Sequence, residues 1–210
     1  MNGIALITGA TAGIGRATAL ILAENEYNVI ITGRRSELLD QLELEIKSKS
    51  SSEVLSLCFD VRERKAVEKA VKSIPEKWKS IDVLVNNAGL AAGFSPIHEG
   101  DIDDWEQMID TNIKGLLFVT RAISPGMVER KTGHIINIGS IAGKEVYDNG
   151  NVYCSTKFAV DALTRGMRTD MLDYGIKVTA IHPGMVDTEF SIVRFKGDKK
   201  KADRVYNGLI

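Results

Sequence analysis

The stretch that decides the fold is Ile4-Ala5-Leu6-Ile7-Thr8-Gly9-Ala10-Thr11-Ala12-Gly13-Ile14-Gly15. An apolar run is followed at once by a glycine-rich turn, and the pattern after the turn is helical. This order predicts a strand, a turn and a helix. Such a turn lets backbone N–H groups approach a pyrophosphate at the helix N-terminus, where the helix dipole favours anions. The candidate phosphate contacts are Gly9, Thr11, Gly13, Ile14 and Gly15.

Short apolar runs alternate with amphipathic segments along the whole chain, which predicts an α/β protein. Strict alternation favours a single doubly wound parallel sheet in the order 3-2-1-4-5-6, with residues 1–210 as one dinucleotide-binding domain. The predicted strands are Gly3–Thr8, Asn28–Thr32, Val54–Phe59, Ile81–Asn86, His134–Ile138 and Lys177–His182. The predicted helices are Gly13–Glu24, Ser36–Lys47, Arg62–Ile74, Asp103–Glu129 and Val152–Tyr174. Asp60 and Glu63 predict a capping box for the third helix.

Composition narrows the class of protein. The 210 residues carry a net charge of −1 and are 44% hydrophobic, which is enough for one domain with a sizeable core. This balance gives no reason to expect nucleic acid or a membrane surface as a partner. No apolar run approaches the roughly 20 residues of a membrane span, and no signal peptide is recognisable, so a cytoplasmic location is predicted. The scattered cysteines and histidines predict no metal site.

Four polar residues downstream of the glycine loop are candidates for chemistry: Asn112, Ser140, Tyr153 and Lys157. Tyr153 and Lys157 are four residues apart, so they share one face of a helix. An ammonium about 4 Å from the phenol would contribute on the order of 4 kcal/mol and lower the tyrosine pKa of about 10 by about 3. Tyr153 would then approach the range that a general base needs. The alternative is an ordinary exposed helical pair.

The end of the second strand predicts the cofactor. An NAD-binding unit carries an acidic residue about 20 residues beyond the glycines, where it binds the ribose 2′-OH. This chain has Gly33 there, followed by Arg34 and Arg35. Two guanidinium groups suit a 2′-phosphate by charge and by geometry, so NADP(H) is predicted. The alternative is that both arginines are solvated surface charges.

Residues at the ends of other strands complete the predicted nucleotide site. Asp60, beside Val61, could accept a hydrogen bond from an adenine amine or could cap the next helix. The segment Asn87-Ala88-Gly89 is small enough for a ribose to approach, and its amides can hold neighbouring loops together. Further candidates after the sixth strand are Pro183, Gly184, Val186 and Thr188.

These motifs together resemble the short-chain dehydrogenase/reductase family. The resemblance runs in register over essentially the whole chain and rests on Thr8–Gly15, Asn86–Gly89, Asn112, Ser140, Tyr153-x-x-x-Lys157 and Pro183-Gly184. It is closer still to the branch of NADP-dependent 3-hydroxy acid (serine-type) dehydrogenases. The segments that carry this closer likeness are Thr32–Arg35, Met108–Asn112, Pro125–Arg130, Gly133–Ser140 and Val193–Asp198.

The resemblance implies a Rossmann fold and an NADP(H)-dependent oxidoreductase acting on a small 3-hydroxy acid or its 3-oxo partner, serine-like or 3-hydroxypropionate-like. Tyr153 would exchange the proton with the substrate, and Lys157 would lower the pKa of Tyr153 and hold the nicotinamide ribose. Ser140 would hydrogen-bond the substrate oxygen. Asn112 would hold a water in a proton relay with Lys157.

The resemblance also implies a homotetramer or homodimer. The two longest predicted helices, Asp103–Glu129 and Val152–Tyr174, favour this assembly because one sheet face cannot cover all of their apolar residues, such as Trp105, Met108, Leu163 and Met167. Family members usually end in a further helix and a seventh strand. The given sequence stops at Ile210, within a predicted substrate loop at about 186–210. Either a tail continues beyond the given sequence or the protein lacks the final strand.

Three alternatives stay open. Arg194 could clamp a substrate carboxylate, or it could be one more charge of a basic loop. The substrate could instead be a carrier-bound 3-oxoacyl group or another small carbonyl compound, since specificity lies in loops. A non-catalytic NADP-sensing protein is a further alternative, against which the complete set of Ser140, Tyr153 and Lys157 argues.

Overall fold

The protein is described by a computed structural model that covers residues 3–206. The last residues of the predicted substrate loop, 207–210, lie outside the described residues. Within residues 3–206, six parallel strands form one sheet in the predicted order β3-β2-β1-β4-β5-β6. The strands are β1 Gly3–Ile7, β2 Tyr27–Gly33, β3 Val54–Cys58, β4 Ile81–Asn86, β5 Gly133–Ile138 and β6 Ile176–Ile181.

Helices follow the strands as a doubly wound sheet requires. They are α1 Gly13–Glu24, α2 Ser36–Lys49, α3 Arg64–Lys72, α4 Ile102–Ile109, α5 Leu116–Arg130, α6 Asn151–Met171, α7 Glu189–Arg194 and α8 Lys199–Tyr206. Short 3₁₀ turns lie at Glu76–Trp78, Ile141–Gly143 and Leu172–Tyr174. None of the helices within residues 3–206 is long and apolar enough to cross a membrane.

Both faces of the sheet are covered, as the apolar strands predict. On β1, Ile4 and Leu6 point into one core and Ala5 and Ile7 into the other, because successive side chains of a strand alternate. The first core takes its helical residues from α3, α5 and α6, and the second from α1 and α2. The carboxyl ends of the strands are therefore held rigidly against two layers of helices.

The predicted helix Asp103–Glu129 is interrupted. A π-helical segment, Asp110–Gly115, lies between α4 and α5. At its centre Asn112 is buried, and its side-chain amide makes hydrogen bonds to both main-chain groups of Leu90. The widened turn therefore lies where the Asn112 side chain is hydrogen-bonded to the segment that contains Leu90. Such π-helical turns are frequent at functional sites.

The predicted capping box of the third helix is wrong. The helix begins at Arg64, and its N-cap residue Glu63 makes no side-chain capping bond. The Asp60 carboxylate instead accepts hydrogen bonds from the Arg62 main-chain N–H at 3.0 Å and from Arg62 Nη2 at 2.6 Å. A guanidinium is a stronger donor than a helix amide, so Asp60 holds the loop rather than the helix.

Apolar residues on the long helices led to the prediction of an oligomer, and the structure supports this reasoning only in part. Met108 and Met167 are buried within the chain itself, so they do not need a partner. Leu117 on α5 and Phe158 on α6 are 37% and 42% exposed. Assembly into a homodimer or homotetramer stays a prediction.

Candidate active site

The glycine loop has the tight geometry that a phosphate-binding turn needs. Gly9 has a φ of +65°, and a Cβ there would lie 2.9 Å from Ala88 Cα. A Cβ at Gly15 would lie 2.5 Å from the Gly9 carbonyl oxygen. Both positions therefore require glycine, and the loop leaves the N-terminus of α1 open to a ligand.

A cleft of about 350 Å³ lies at the carboxyl ends of the strands, where the sheet order reverses at β1 and β4. It brings together most of the predicted site residues: Gly9, Thr11, Gly13, Ile14, Arg34, Arg35, Asp60, Val61, Asn87, Ala88, Gly89, Ser140, Tyr153, Lys157, Pro183, Gly184, Val186 and Thr188. Three others do not line it. Gly15 lies under the loop, Asn112 lies behind Gly89, and Arg194 lines a neighbouring cavity.

Several lining residues were not predicted from the sequence. They are Phe59, Leu90, Thr111, Ile138, Gly139, Glu189, Phe190 and Val193. Phe59 and Gly139 directly follow strands, and Ile138 is the last residue of β5. Leu90 and Thr111 belong to the segment between β4 and β5. Their place near the carboxyl edge of the sheet was a usable signal. The last three belong to α7, which no periodic pattern announced because it is only six residues long.

The two arginines at the end of β2 are both engaged with acidic side chains. Arg35 Nη1 donates to Glu189 Oε2 at 2.9 Å, and its Nη2 donates to Thr11 Oγ1 at 3.0 Å. Arg34 Nη1 lies 3.7 Å from Asp60 Oδ2. Both guanidinium groups are about half exposed and face the cleft. The arrangement offers two cations and a hydroxyl to an anionic group at this end.

The other end of the cleft holds Ser140, Tyr153 and Lys157. Ser140 follows β5, and its Oγ accepts a hydrogen bond from the Ala142 N–H at 3.1 Å. Ser140 and Tyr153 line the same part of the cleft. Tyr153 and Lys157 are both buried on α6, with Lys157 Nζ 6.0 Å from the centre of the Tyr153 ring. Lys157 Nζ donates to the Ile138 carbonyl at 2.9 Å. The pair is therefore buried at the site, which excludes the alternative of an exposed helical pair.

The sequence predicted a low pKa for Tyr153, but in the structure the pKa of Tyr153 is raised. Burial raises the pKa of Tyr153 to about 12, against smaller lowering effects from the nearby Ser140 hydroxyl and the Arg194 charge. Burial also lowers the pKa of Lys157 to about 8. The prediction assumed a lysine about 4 Å away in a moderately polar medium. In the structure the loss of hydration dominates, so Tyr153 is a neutral acid at neutral pH.

Asn112 is fixed by protein groups. Its Oδ1 accepts from the Leu90 N–H at 2.9 Å, and its Nδ2 donates to the Leu90 carbonyl at 2.8 Å and to Thr156 Oγ1 at 3.0 Å. Both hydrogens of the amide are used. A Cβ at Gly89 would lie 3.2 Å from Asn112 Oδ1 and 3.5 Å from Lys157 Nζ, so Gly89 keeps the space between these two side chains open.

Arg194 is a buried cation in an aromatic setting. It is 8% exposed, and its guanidinium carbon lies 4.8, 5.4 and 5.6 Å from the ring centres of Phe94, Tyr147 and Tyr153. Its Nε donates to the Gly93 carbonyl at 3.4 Å. No Asp or Glu among residues 3–206 forms an ion pair with it. Arg194 is therefore not one of the solvated charges of a basic loop.

The residues present fit a dinucleotide. The glycine cradle offers main-chain donors for a pyrophosphate, the arginines lie at one end of the cleft, and Tyr153 lies at the other. Thr111 lines the cleft, and its buried Oγ1 has no hydrogen-bond partner among the described residues. Buried polar atoms normally have partners, so this hydroxyl is consistent with a polar ligand in the cleft.

Comparison with known proteins agrees with this geometry. The family described as short chain dehydrogenase matches residues 3–199. An NADP-dependent 3-hydroxy acid dehydrogenase of Salmonella typhi is 52% identical over 204 residues, which cover 97% of this chain and 81% of that protein. The enzyme of the same name from Schizosaccharomyces pombe is 44% identical over 96% of this chain and 78% of its own length.

A solved structure points the same way. The closed form of a serine dehydrogenase complexed with NADP+ is 48% identical and has a TM-score of 0.94, covering 99% of this chain and 82% of that one. The fold and cleft define a dinucleotide-binding oxidoreductase. The chain belongs to the short-chain dehydrogenase family, and the family and enzyme class predicted from the sequence are confirmed.

The burial of Lys157 makes a prediction about stability. The unfolded chain keeps this lysine protonated up to about pH 10.5, and the folded chain only up to about pH 8. Because the unfolded state binds more protons between these values, wild-type stability gains about 3 kcal/mol from this group as pH rises through the window. Lys157→Met should lack that gain.

The measurement is the free energy of urea unfolding at several pH values from 7 to 10. The difference between wild type and Lys157→Met should change with pH, in favour of the wild type as pH rises. Lys65→Met, at an exposed position of α3, is the control and should follow the wild-type curve. Parallel curves for wild type and Lys157→Met would contradict the cost of burying this charge.

Proposed function

We propose that this chain transfers a hydride between a nicotinamide cofactor and a small 3-hydroxy acid or its 3-oxo partner, such as serine or 3-hydroxypropionate, with Tyr153 as the general acid and base. The observation that carries the substrate class is Arg194, a buried guanidinium beside Tyr153 without an acidic partner among the described residues. The relatives named for 3-hydroxy acids and serine support the same substrate class.

The cofactor is NADP(H), as the sequence predicted. The relatives are NADP-dependent enzymes, and the similar serine dehydrogenase structure holds NADP+. When bound, the cofactor supplies the hydride acceptor or donor. Arg34 and Arg35 are our candidates for the 2′-phosphate, since they end β2, where a 2′-OH-binding carboxylate would otherwise stand. Glu189 would have to share Arg35 with that phosphate.

The geometry supports the following roles for the residues at the Tyr153 end of the cleft. Ser140 would hold the substrate oxygen next to the Tyr153 hydroxyl, since both residues line the same part of the cleft. Lys157, directed at the Ile138 carbonyl, would hold the nicotinamide ribose and add positive charge near Tyr153. Asn112 would serve mainly by fixing the segment that contains Leu90. Asn112 Oδ1 and Lys157 Nζ would also border the space beside Gly89, where a water could bind.

Arg194 favours an anionic substrate over an uncharged ketone. A buried guanidinium without a counter-ion is costly, and a carboxylate that accepts a forked hydrogen bond from it offsets that cost. The distance from Arg194 to the Tyr153 ring, 5.6 Å, suits a small molecule that presents a hydroxyl to Tyr153 and a carboxylate two carbons away. An NADP-sensing protein without turnover would not need this cation.

The role of Tyr153 is tested by Tyr153→Phe. Turnover of serine with NADP+ should fall below a few per cent of wild type, while NADPH affinity, measured by fluorescence titration, should stay within twofold. Because burial raises the pKa of Tyr153 to about 12, wild-type oxidation needs the minor deprotonated form and should accelerate as pH rises from 7 to 10. Retention of substantial turnover in Tyr153→Phe would rule the role out.

The role of the arginines is tested by the double variant Arg34→Ala and Arg35→Ala. At about 1.5–3 kcal/mol for a hydrogen bond to a charged group, NADP(H) binding should weaken at least tenfold, with NAD(H) binding almost unchanged. Arg64→Ala, an exposed arginine on α3, is the control. Equal losses for both cofactors would mean that the arginines support the loop and do not select the phosphate.

The carboxylate clamp is tested by Arg194→Ala. The KM for a 3-hydroxy acid should rise at least tenfold, while the KM for NADP+ and the turnover of the methyl ester of the same acid should be largely unchanged. Arg121→Ala, on the exposed side of α5, should affect neither substrate. If acid and ester suffer equally, Arg194 orders the pocket rather than binding the carboxylate.

A further inference from the structure

Next to the reacting residues, a partly buried carboxylate lies close to a lysine, an arginine and a histidine. Asp161 lies on α6, four residues beyond Lys157 and eight beyond Tyr153, so the three share one side of the helix. Its carboxylate accepts a hydrogen bond from Lys144 Nζ at 2.7 Å and forms an ion pair with Arg165, whose Nη2 lies 2.8 Å away. His182 Nε2 lies 3.3 Å from the same carboxylate. The Lys144 hydrogen bond, with the other nearby charges, holds the Asp161 pKa below its ordinary value.

His182 connects this carboxylate to Ser140. Its Nδ1 lies 3.0 Å from the Ser140 main-chain oxygen, while its Nε2 faces Asp161. Each of these partners is an acceptor, so a ring N–H can donate to either of them. A Cβ at Gly139 would lie 2.7 Å from His182 Nδ1, which means that the ring packs closely against the backbone just before Ser140.

The same carboxylate also holds the other side of the Ser140 turn. Lys144 ends the 3₁₀ turn Ile141–Gly143, which begins directly after Ser140. Asp161 therefore holds the chain ahead of this turn through His182 and the chain behind it through Lys144. Since Asp161 is on α6, the turn that carries Ser140 is fastened to the helix that carries Tyr153.

We propose that His182 and Asp161 are positioning residues, which fix the Ser140 hydroxyl relative to Tyr153 by holding the Ser140 main chain against α6. The proposal rests on the role of Ser140 in the proposed function. Its physical basis is that hydride and proton transfer need the substrate oxygen in one place, and small displacements of a positioning group cost rate rather than cofactor affinity. Neither residue contacts the cleft.

The test compares two substitutions at His182. His182→Leu removes both contacts, and the single-turnover rate of serine oxidation should fall about tenfold, equivalent to about 1.4 kcal/mol of the barrier. In His182→Asn the amide nitrogen can take the place of Nδ1 and donate to the Ser140 oxygen, so only the contact with Asp161 is lost and the rate should lie between those of wild type and His182→Leu. NADPH affinity should be unchanged in both. His134→Leu, at the opposite end of β5, is the matched control.

A double-mutant cycle with Ser140→Ala decides whether His182 acts through Ser140. In the Ser140→Ala background, His182→Leu should cost less than twofold, measured by single turnover with enzyme in excess. Equal losses in both backgrounds, no loss in the wild-type background, or a rate for His182→Asn no higher than that of His182→Leu would each overturn the proposal. If Ser140→Ala alone turns over normally, the proposed function itself fails, which is a separate result.

Discussion

The geometry of the cleft depends on the way Thr8 and Asn87 tie the ends of β1 and β4 together. The Thr8 hydroxyl accepts from the main-chain N–H groups of Asn87 and Ala88 at 3.0 and 2.9 Å, and Asn87 Nδ2 donates to the Thr8 and Gly9 carbonyls at 2.8 and 3.1 Å. These two strands flank the point where the sheet order reverses. These hydrogen bonds hold the glycine loop against the segment that continues to Gly89, which lies beside Lys157. The phosphate-binding end and the Lys157 end of the cleft are therefore held in a fixed relation to each other.

Local periodicity explains which parts of this arrangement the sequence predicts. The strand order follows from apolar runs that alternate with helices, and the shared face of Tyr153 and Lys157 follows from their spacing. The π-helical segment at Asp110–Gly115 could not be predicted, because it arises where the Asn112 side chain bonds to Leu90, a contact between segments. Asp60 was misjudged for a related reason, since a cap and a loop anchor use the same residue type.

The larger failure of prediction from the sequence concerned how deeply the charged side chains are buried. Spacing places Lys157 beside Tyr153, but it does not reveal how much water the fold removes from them. In the structure dehydration outweighs the attraction between the two groups, so the Tyr153 pKa rises and the Lys157 pKa falls. The burial of Arg194 was equally invisible, because its neighbours Phe94 and Tyr147 come from distant segments. The site thus holds two buried basic side chains around one tyrosine, and burying such groups costs stability.

The short helix α7 connects the parts of the site that the sheet keeps apart. Thr188, its N-cap, lies against Gly13 of the glycine loop, and Glu189 reaches Arg35 at the far end of the cleft. Phe190 packs edge-on against the Tyr153 ring at 5.5 Å between ring centres, and Arg194 ends the helix beside that tyrosine. These contacts all come from one short helix and its N-cap, which extend along the cleft from Arg35 to Tyr153 and reach the neighbouring cavity. Arg194 beside Tyr153 and Glu189 beside Arg35 are therefore held at a spacing that the helix sets.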